Sequence, residues 1–463
     1  MRDFFRLLQT LDYMRMVVGI CILVDGYPLI FFFRETLKLA PNSTTFTAVS
    51  LAFGLVLMVP FTFLQRLYRP NITMFWLGVS FIIMCALYMY IFNGDPGFED
   101  YGKDITYYAY ILIFLFLLIN VPNDIIRVFI PVVVVFTMIS NLALIYALMT
   151  DPTWAIGQRA TITLSGGGDE GSGNPHAFSR NAFMGTIACF MWLVRPQTIT
   201  IFRLFAFFAG ALNLAVLVLT QTRSAIVALI VAVCFFFYYN VRPAQIRETA
   251  RSLVKPIPLI IMGMGVLGII YFFRRYADTY GILYGYVISF MERNLDNVYA
   301  LLGLKAQGAD YKAVLDDSAA NRGSSTVFFS IVITGHLHRL ILGFGYKYTY
   351  LDIPIIEALT NQGFIGFILF ATLNGMILYN VTRVMRTNPN QLNVFLAYFY
   401  MLILVQLFTN GRPYEISFWF PLCLMIRFMG VEHLFPAYLS DHPPVVNDDK
   451  FVVVPNPNPA PVA

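Results

Sequence analysis

Apolar stretches close to the length of a membrane crossing recur along almost the whole of this chain, and they constrain its fold more than any motif does. A helix needs roughly 20 mostly apolar residues to cross a hydrocarbon core of about 30 Å, where only bonds within the segment can satisfy the backbone. About twelve segments meet or approach that requirement: 15–33, 46–65, 72–92, 106–120, 125–149, 178–194, 201–219, 224–240, 256–273, 354–380, 392–409 and 414–432, the fourth, sixth and eighth being short. Composition agrees, with 58% hydrophobic and 12% charged residues and a mean hydropathy of +0.68, outside the range of soluble domains. The expected fold is an all-α polytopic membrane protein of about twelve transmembrane helices, forming one domain over residues 1–440.

Basic residues in short connections set orientation, because they stay on the cytoplasmic side during insertion. With Arg2, Arg6 and Arg15 inside, the turns carrying Arg66 and Arg69, Arg195 and Arg203, Arg242 to Lys255, and Arg383 and Arg386 all fall inside. The opposite loop 93–105 is acidic, with Asp95, Glu99, Asp100 and Asp104. Both termini are thus expected in the cytoplasm. The first apolar stretch, interrupted by Asp25 and followed by no small-residue cleavage pattern, is expected to be an uncleaved anchor.

The five cysteines all fall in expected spans, which suggests neither a disulfide nor a Cys-type metal site. The net charge of +5 is spread over the inner turns, so it reads as topology control and not as a nucleic-acid surface. The Pro-rich tail, 441–463, is expected to be disordered and cytoplasmic.

Two connections, both expected outside, are long enough to carry function. Residues 150–178 contain the run LSGGGDEGSGNPHAF, and 274–353 form a long insertion between the ninth and tenth spans. The Gly-rich run lacks the GK[ST] ending of a phosphate loop and follows a membrane span, so it reads as a flexible loop. Within the insertion, 276–304 has apolar and aromatic residues at helical spacing, as in a helix lying near the membrane surface. A second stretch, 326–342, carries His336, His338 and Arg339 and predicts a short helical lid, the alternative being a cap without catalytic duty.

Ionisable residues at the outer ends of spans are the candidate site. Arg223, in LTQTRSAIVAL, sits in a four-residue turn whose hydroxyls could join its planar fork around phosphoryl oxygens. Its alternative is a guanidinium snorkelling to lipid headgroups. Arg322 in DDSAANRGSST has similar company, and Arg180 in NPHAFSRNAF and Arg412 in TNGRPYE are further outer cations, with structural roles equally open for these two. Glu357 and Asn361 lie four apart, so they share a helical face, where they either meet a substrate or bond neighbouring helices.

In order along the chain, LTQTRSAIVAL, NRGSS, LILGFGYKY and YLDIPIIEALTNQGFIGFILF resemble the bacterial O-antigen polymerase and O-antigen ligase superfamily. The resemblance covers residues 174–370 well and the N-terminal half mainly through hydropathy. It implies a metal-independent, inverting glycosyltransferase of the membrane-embedded C type in the bacterial inner membrane. Such an enzyme has no cofactor and transfers a glycan from undecaprenyl diphosphate at a periplasmic active site. The lipid-linked glycan, membrane lipids and a chain-length regulator protein are the implied partners. By position, Arg223 and Arg322 match the family arginines understood to contact the lipid diphosphate, while Asn174, Pro175 and His176 resemble an N-P-N-like element. Ligases carry a His about eleven residues before the first Gly of G-x-x-G, and here Asp352 stands there. That departure favours a polymerase of repeat units over a ligase.

Attack of a sugar hydroxyl on an anomeric carbon needs a stabilised leaving group, which a diphosphate gripped by arginines supplies. Asp352 is the first candidate base, with His336 and His338 as alternatives; Asp352 is equally placed to cap the helix starting near Pro354. Among the aromatics, Tyr346, Tyr348, Tyr350 and Tyr414 are candidate glycan contacts. The competing class is a flippase or secondary transporter, against which stand the lack of repeated halves and the outer position of the sharpest polar residues.

Overall fold

The computed structural model describes residues 2–92, 101–155, 158–164, 174–195, 198–241, 254–277, 317–351 and 353–440, with a few single positions between 242 and 291. Among these the protein is all helical, with no strand. Its helices are α1 (Arg2–Asp25), α2 (Tyr27–Phe31), α3 (Thr44–Met58), α4 (Ile72–Ile91), α5 (Tyr101–Asn120), α6 (Ile126–Thr150) and α7 (Pro175–Val194). They continue with α8 (Thr200–Leu219), α9 (Arg223–Asn240), α10 (Pro256–Arg275), α11 (Asp317–Gly335), α12 (Pro354–Thr387), α13 (Gln391–Gln406) and α14 (Ile416–Phe428). Among the described residues, eight helices are long and apolar enough to cross a membrane: α1, α4 to α9 and α12. Helices α3, α13 and α14 are shorter and apolar.

Helix starts follow local chemistry. The side chains of Ser43, Asn71, Asn174 and Asn390 each accept a hydrogen bond from a backbone N–H of the following turn, and Pro175 occupies a first-turn position of α7. The apolar stretch expected over 46–65 ends its helix at Met58, because Pro60 cannot continue the ladder and residues 61–65 turn instead. In the other direction, α1 begins well before residue 15, and α11 starts at Asp317, so that Arg322 stands in a helix and not in a loop. The Gly-rich run, most of 276–304, and the tail lie outside the described residues.

The centre of the bundle is filled by α13 and α14. Trp419 of α14 stacks on Phe81 of α4 with ring centroids 5.4 Å apart, and Phe81 meets Phe370 of α12 at 5.2 Å. Large apolar side chains such as Phe53, Ile83 and Phe207 point outwards, as lipid solvent allows. Where α1 crosses α3, a Cβ on Gly19 would fall 2.5 Å from the Gly54 carbonyl oxygen, so this close approach requires glycine.

Helix α12 is broken at Gly363, whose φ of 72° and ψ of −169° lie in a region open essentially to glycine alone. The segment before α12 fills the break. Phe344 N donates to Thr360 O (2.8 Å) and Gly345 N to Asn361 O (3.0 Å), while Phe364 N turns to Ile341 O (3.2 Å). A Cβ on Gly363 would come within 2.5 Å of Ile341 O. Gly363→Ala is therefore expected to destabilise the protein by about 1–3 kcal/mol from backbone strain alone, read as a lower melting temperature in detergent, whereas Gly375→Ala, with open space around it, should not.

Candidate functional site

The segment that plugs the break, residues 341–351, also walls a cavity of about 640 Å³ at the end of the bundle opposite Arg66, Arg195 and the Arg383 end of α12. Its wall is assembled from α2, the starts of α5 and α7, and the turn joining α13 to α14 together with the start of α14. Lys103, Arg180, Lys347 and Arg412 are its cations; Asp104 and Glu415 are its carboxylates. Asn174, Gln406 and Asn410 add amides, and Tyr27, Tyr107, Tyr350 and Phe418 add rings. Amides and carboxylates beside aromatic faces suit a hydroxyl-rich ligand, and the cations suit an anionic one.

Three of the cations are held by carboxylates. Arg180, 5% exposed, donates through Nε to Asp25 Oδ1 (3.2 Å), through Nη1 to Ser417 O (2.6 Å) and through Nη2 to Val24 O (3.1 Å). Lys347 Nζ lies 2.6 Å from Asp104 Oδ2. Arg412 Nε stands 3.6 Å from Glu357 Oε1, its Nη1 donates to the Tyr414 hydroxyl (3.0 Å), and its guanidinium carbon lies 4.8 Å from the centre of the Tyr350 ring. Burial works against the charge of Arg412, but Tyr414, Glu357 and Glu415 outweigh it and hold the guanidinium above its ordinary range.

Two tyrosines join these pairs. Tyr414 donates to Glu357 Oε1 (2.6 Å), and Tyr346 donates to Asp104 Oδ2 (2.6 Å). Their ring centroids are 5.1 Å apart. Burial, with the Asp104 charge beside it, pushes the Tyr346 phenol well above its usual value, so it stays a neutral donor. Glu357 is wholly buried behind Tyr414 and also accepts from Leu351 N (3.0 Å) and Asn361 Nδ2 (3.3 Å).

Of the residues singled out in the sequence, Arg180, Arg412, His176, Tyr346, Tyr350 and Tyr414 line this cavity. Glu357 touches it through Tyr414 and Arg412. Arg223 is the half-buried first residue of α9 and does not line it. His336 and His338 are exposed around a 3₁₀ turn, 6.3 Å apart between ring centroids, and do not line it either. Asp352 and the Arg322 side chain lie outside the described residues.

Lys103, Asp104, Lys347 and Glu415 were not legible as site residues. Asp25 carried a signal: a carboxylate inside an apolar stretch generally faces the bundle and a partner charge. Among the described residues, no group of three or more His, Cys, Asp or Glu side chains is gathered as metal ligands would be. No protein-family model and no curated protein matches this chain.

Removing Arg180 would leave Asp25 buried and unpaired, which typically costs about 3–5 kcal/mol. Arg180→Ala should therefore lower the melting temperature sharply, and Asp25→Ala added to it should restore part of the loss; a double variant no more stable than Arg180→Ala would contradict the pairing.

Proposed function

We propose that this chain is a membrane-embedded glycosyltransferase that moves a glycan from a polyprenyl diphosphate to a sugar hydroxyl at the outer face, lengthening lipid-linked repeat units. In this reading about twelve helices span a bacterial inner membrane with both termini inside. The observation that carries it is the cavity, where cations, carboxylates, amides and aromatic rings from separate elements converge at the end assigned to the outside by the loop charges.

The chemistry fits such a wall. When the anomeric C–O bond breaks, negative charge grows on the departing diphosphate, and donors fixed in place stabilise it without having to reorganise. A carboxylate behind Arg180, Lys347 and Arg412 fixes each of them in this way. Arg223 and Arg322 remain the donor contacts that the sequence resemblance implies, outside the cavity contacts described. Tyr350, with Arg412 over its ring, offers a face on which a sugar can stack.

The test is purified protein in liposomes with lipid diphosphate-linked repeats and a chelator present. Longer lipid-linked chains and free polyprenyl diphosphate are expected. Arg412→Ala should reduce kcat/KM by roughly 100-fold or more, the usual cost of losing a donor to a developing anion. Arg223→Ala and Arg322→Ala should abolish elongation while expression persists. Folded wild-type protein that produces no longer chain would sink the reading, and glycan passed to a separate acceptor would make it a ligase.

One observation favours a second reading. Helices interrupted near buried polar side chains are common in transporters, and α12 is broken beside the buried Asn361 and Gln362. A flippase would change the sidedness of the lipid-linked glycan in the same liposomes without altering its length.

A further inference from the structure

Resting on the glycosyl-transfer reading, we propose that Tyr414 and Glu357 are the proton-accepting pair of the cavity, Tyr414 taking the acceptor-hydroxyl proton as it hands its own to Glu357. Tyr414 lines the cavity with 5% of its surface exposed, and its hydroxyl lies 2.6 Å from Glu357 Oε1. Glu357 has no exposed surface. A proton from a ligand in the cavity therefore reaches this carboxylate through the phenol.

The geometry separates this pair from the similar one beside it. Tyr346 also donates to a carboxylate and likewise accepts one bond, from Tyr108 at 2.6 Å, but its side chain is wholly buried, whereas Tyr414 keeps some exposed surface. The carboxylate it faces is held in addition by Lys347. Tyr346 thus serves as a wall, its ring set against that of Tyr414. The hydroxyl of Tyr414 donates to Glu357 and accepts one bond, from Arg412 Nη1 at 3.0 Å, leaving its second lone pair for a ligand O–H. The guanidinium also stabilises negative charge that builds on the phenol oxygen during transfer.

The step balances. The acceptor oxygen forms a bond to the anomeric carbon as the anomeric bond to the diphosphate breaks, and that electron pair leaves with the diphosphate. The acceptor O–H proton passes to the Tyr414 oxygen, and the Tyr414 proton passes to Glu357 Oε1. The diphosphate gains one negative charge and Glu357 loses one. Proton return from Glu357 through Tyr414 to water, after product leaves, completes the cycle.

The experiment compares wild type with Tyr414→Phe, Glu357→Gln and the double variant in the elongation assay, with melting temperatures measured alongside. Each single change should lower kcat about 10²- to 10⁴-fold, the range for positioned acid–base groups, while the acceptor KM stays within about twofold. Because the two act in one relay, the double variant should be no slower than the worse single one. The solvent deuterium isotope effect on kcat should change in both single variants, and Glu357→Asp should regain part of the activity. Full kcat per folded molecule in Tyr414→Phe, or losses that multiply in the double variant, would overturn the relay and leave the transferase reading standing. Wild type without elongation would overturn both.

Discussion

A helix interrupted within a long apolar segment leaves backbone groups that apolar surroundings cannot satisfy, and the way this protein satisfies them at Gly363 organises the segment that walls the cavity. Thr360 O and Asn361 O take their hydrogen bonds from Phe344 and Gly345, and Phe364 N gives its own to Ile341 O. The exchange works only because Gly343 and Gly363 bring two backbones into contact; a Cβ on Gly343 would lie 2.5 Å from both Asn361 O and Gly363 N. Locked there, the segment 341–351 carries Tyr346, Lys347 and Tyr350 to the cavity wall and sets Leu351 N on the Glu357 carboxylate.

Charge placement follows from the same scarcity of water. Asp25 and Glu357 are wholly buried carboxylates, and each stands against an arginine of the wall. An unpaired charge at such depth is prohibitive, whereas a paired one that also has hydrogen-bond partners is tolerable. The pairing does two things at once: it ties α1 to α7, and it ties the turn before α14 to the first turn of α12. The cations are consequently held in place by the fold itself.

The cavity is thus a meeting point of helix ends at which three paired cations are gathered. Its tyrosines link the paired charges into two neighbouring clusters, Arg412–Tyr414–Glu357 and Lys347–Asp104–Tyr346. The two differ in exposure: the Tyr346 side chain is wholly buried, whereas Tyr414 keeps some of its surface open.

The all-helical, membrane-embedded character was legible in the sequence alone, because hydrophobic length and backbone satisfaction in lipid admit few alternatives. So were residues whose polarity is out of place in an apolar context, such as Arg180, Arg412, Glu357 and the tyrosines around the GFGYKY stretch. Helix ends were read less well: at Pro60 the breaker cut a span short, and a helix begins at Asp317, ahead of the stretch whose spacing predicted one. Which polar residues meet was decided only by the tertiary structure. Asp104 and Lys347 are far apart in the chain and ordinary in their local context, and Arg180 finds Asp25 across two helices. The pattern along a chain records how each segment meets lipid or water, whereas a partner 155 residues away, as Asp25 is from Arg180, or 242 away, as Asp104 is from Tyr346, is fixed by packing between helices, for which no local period exists.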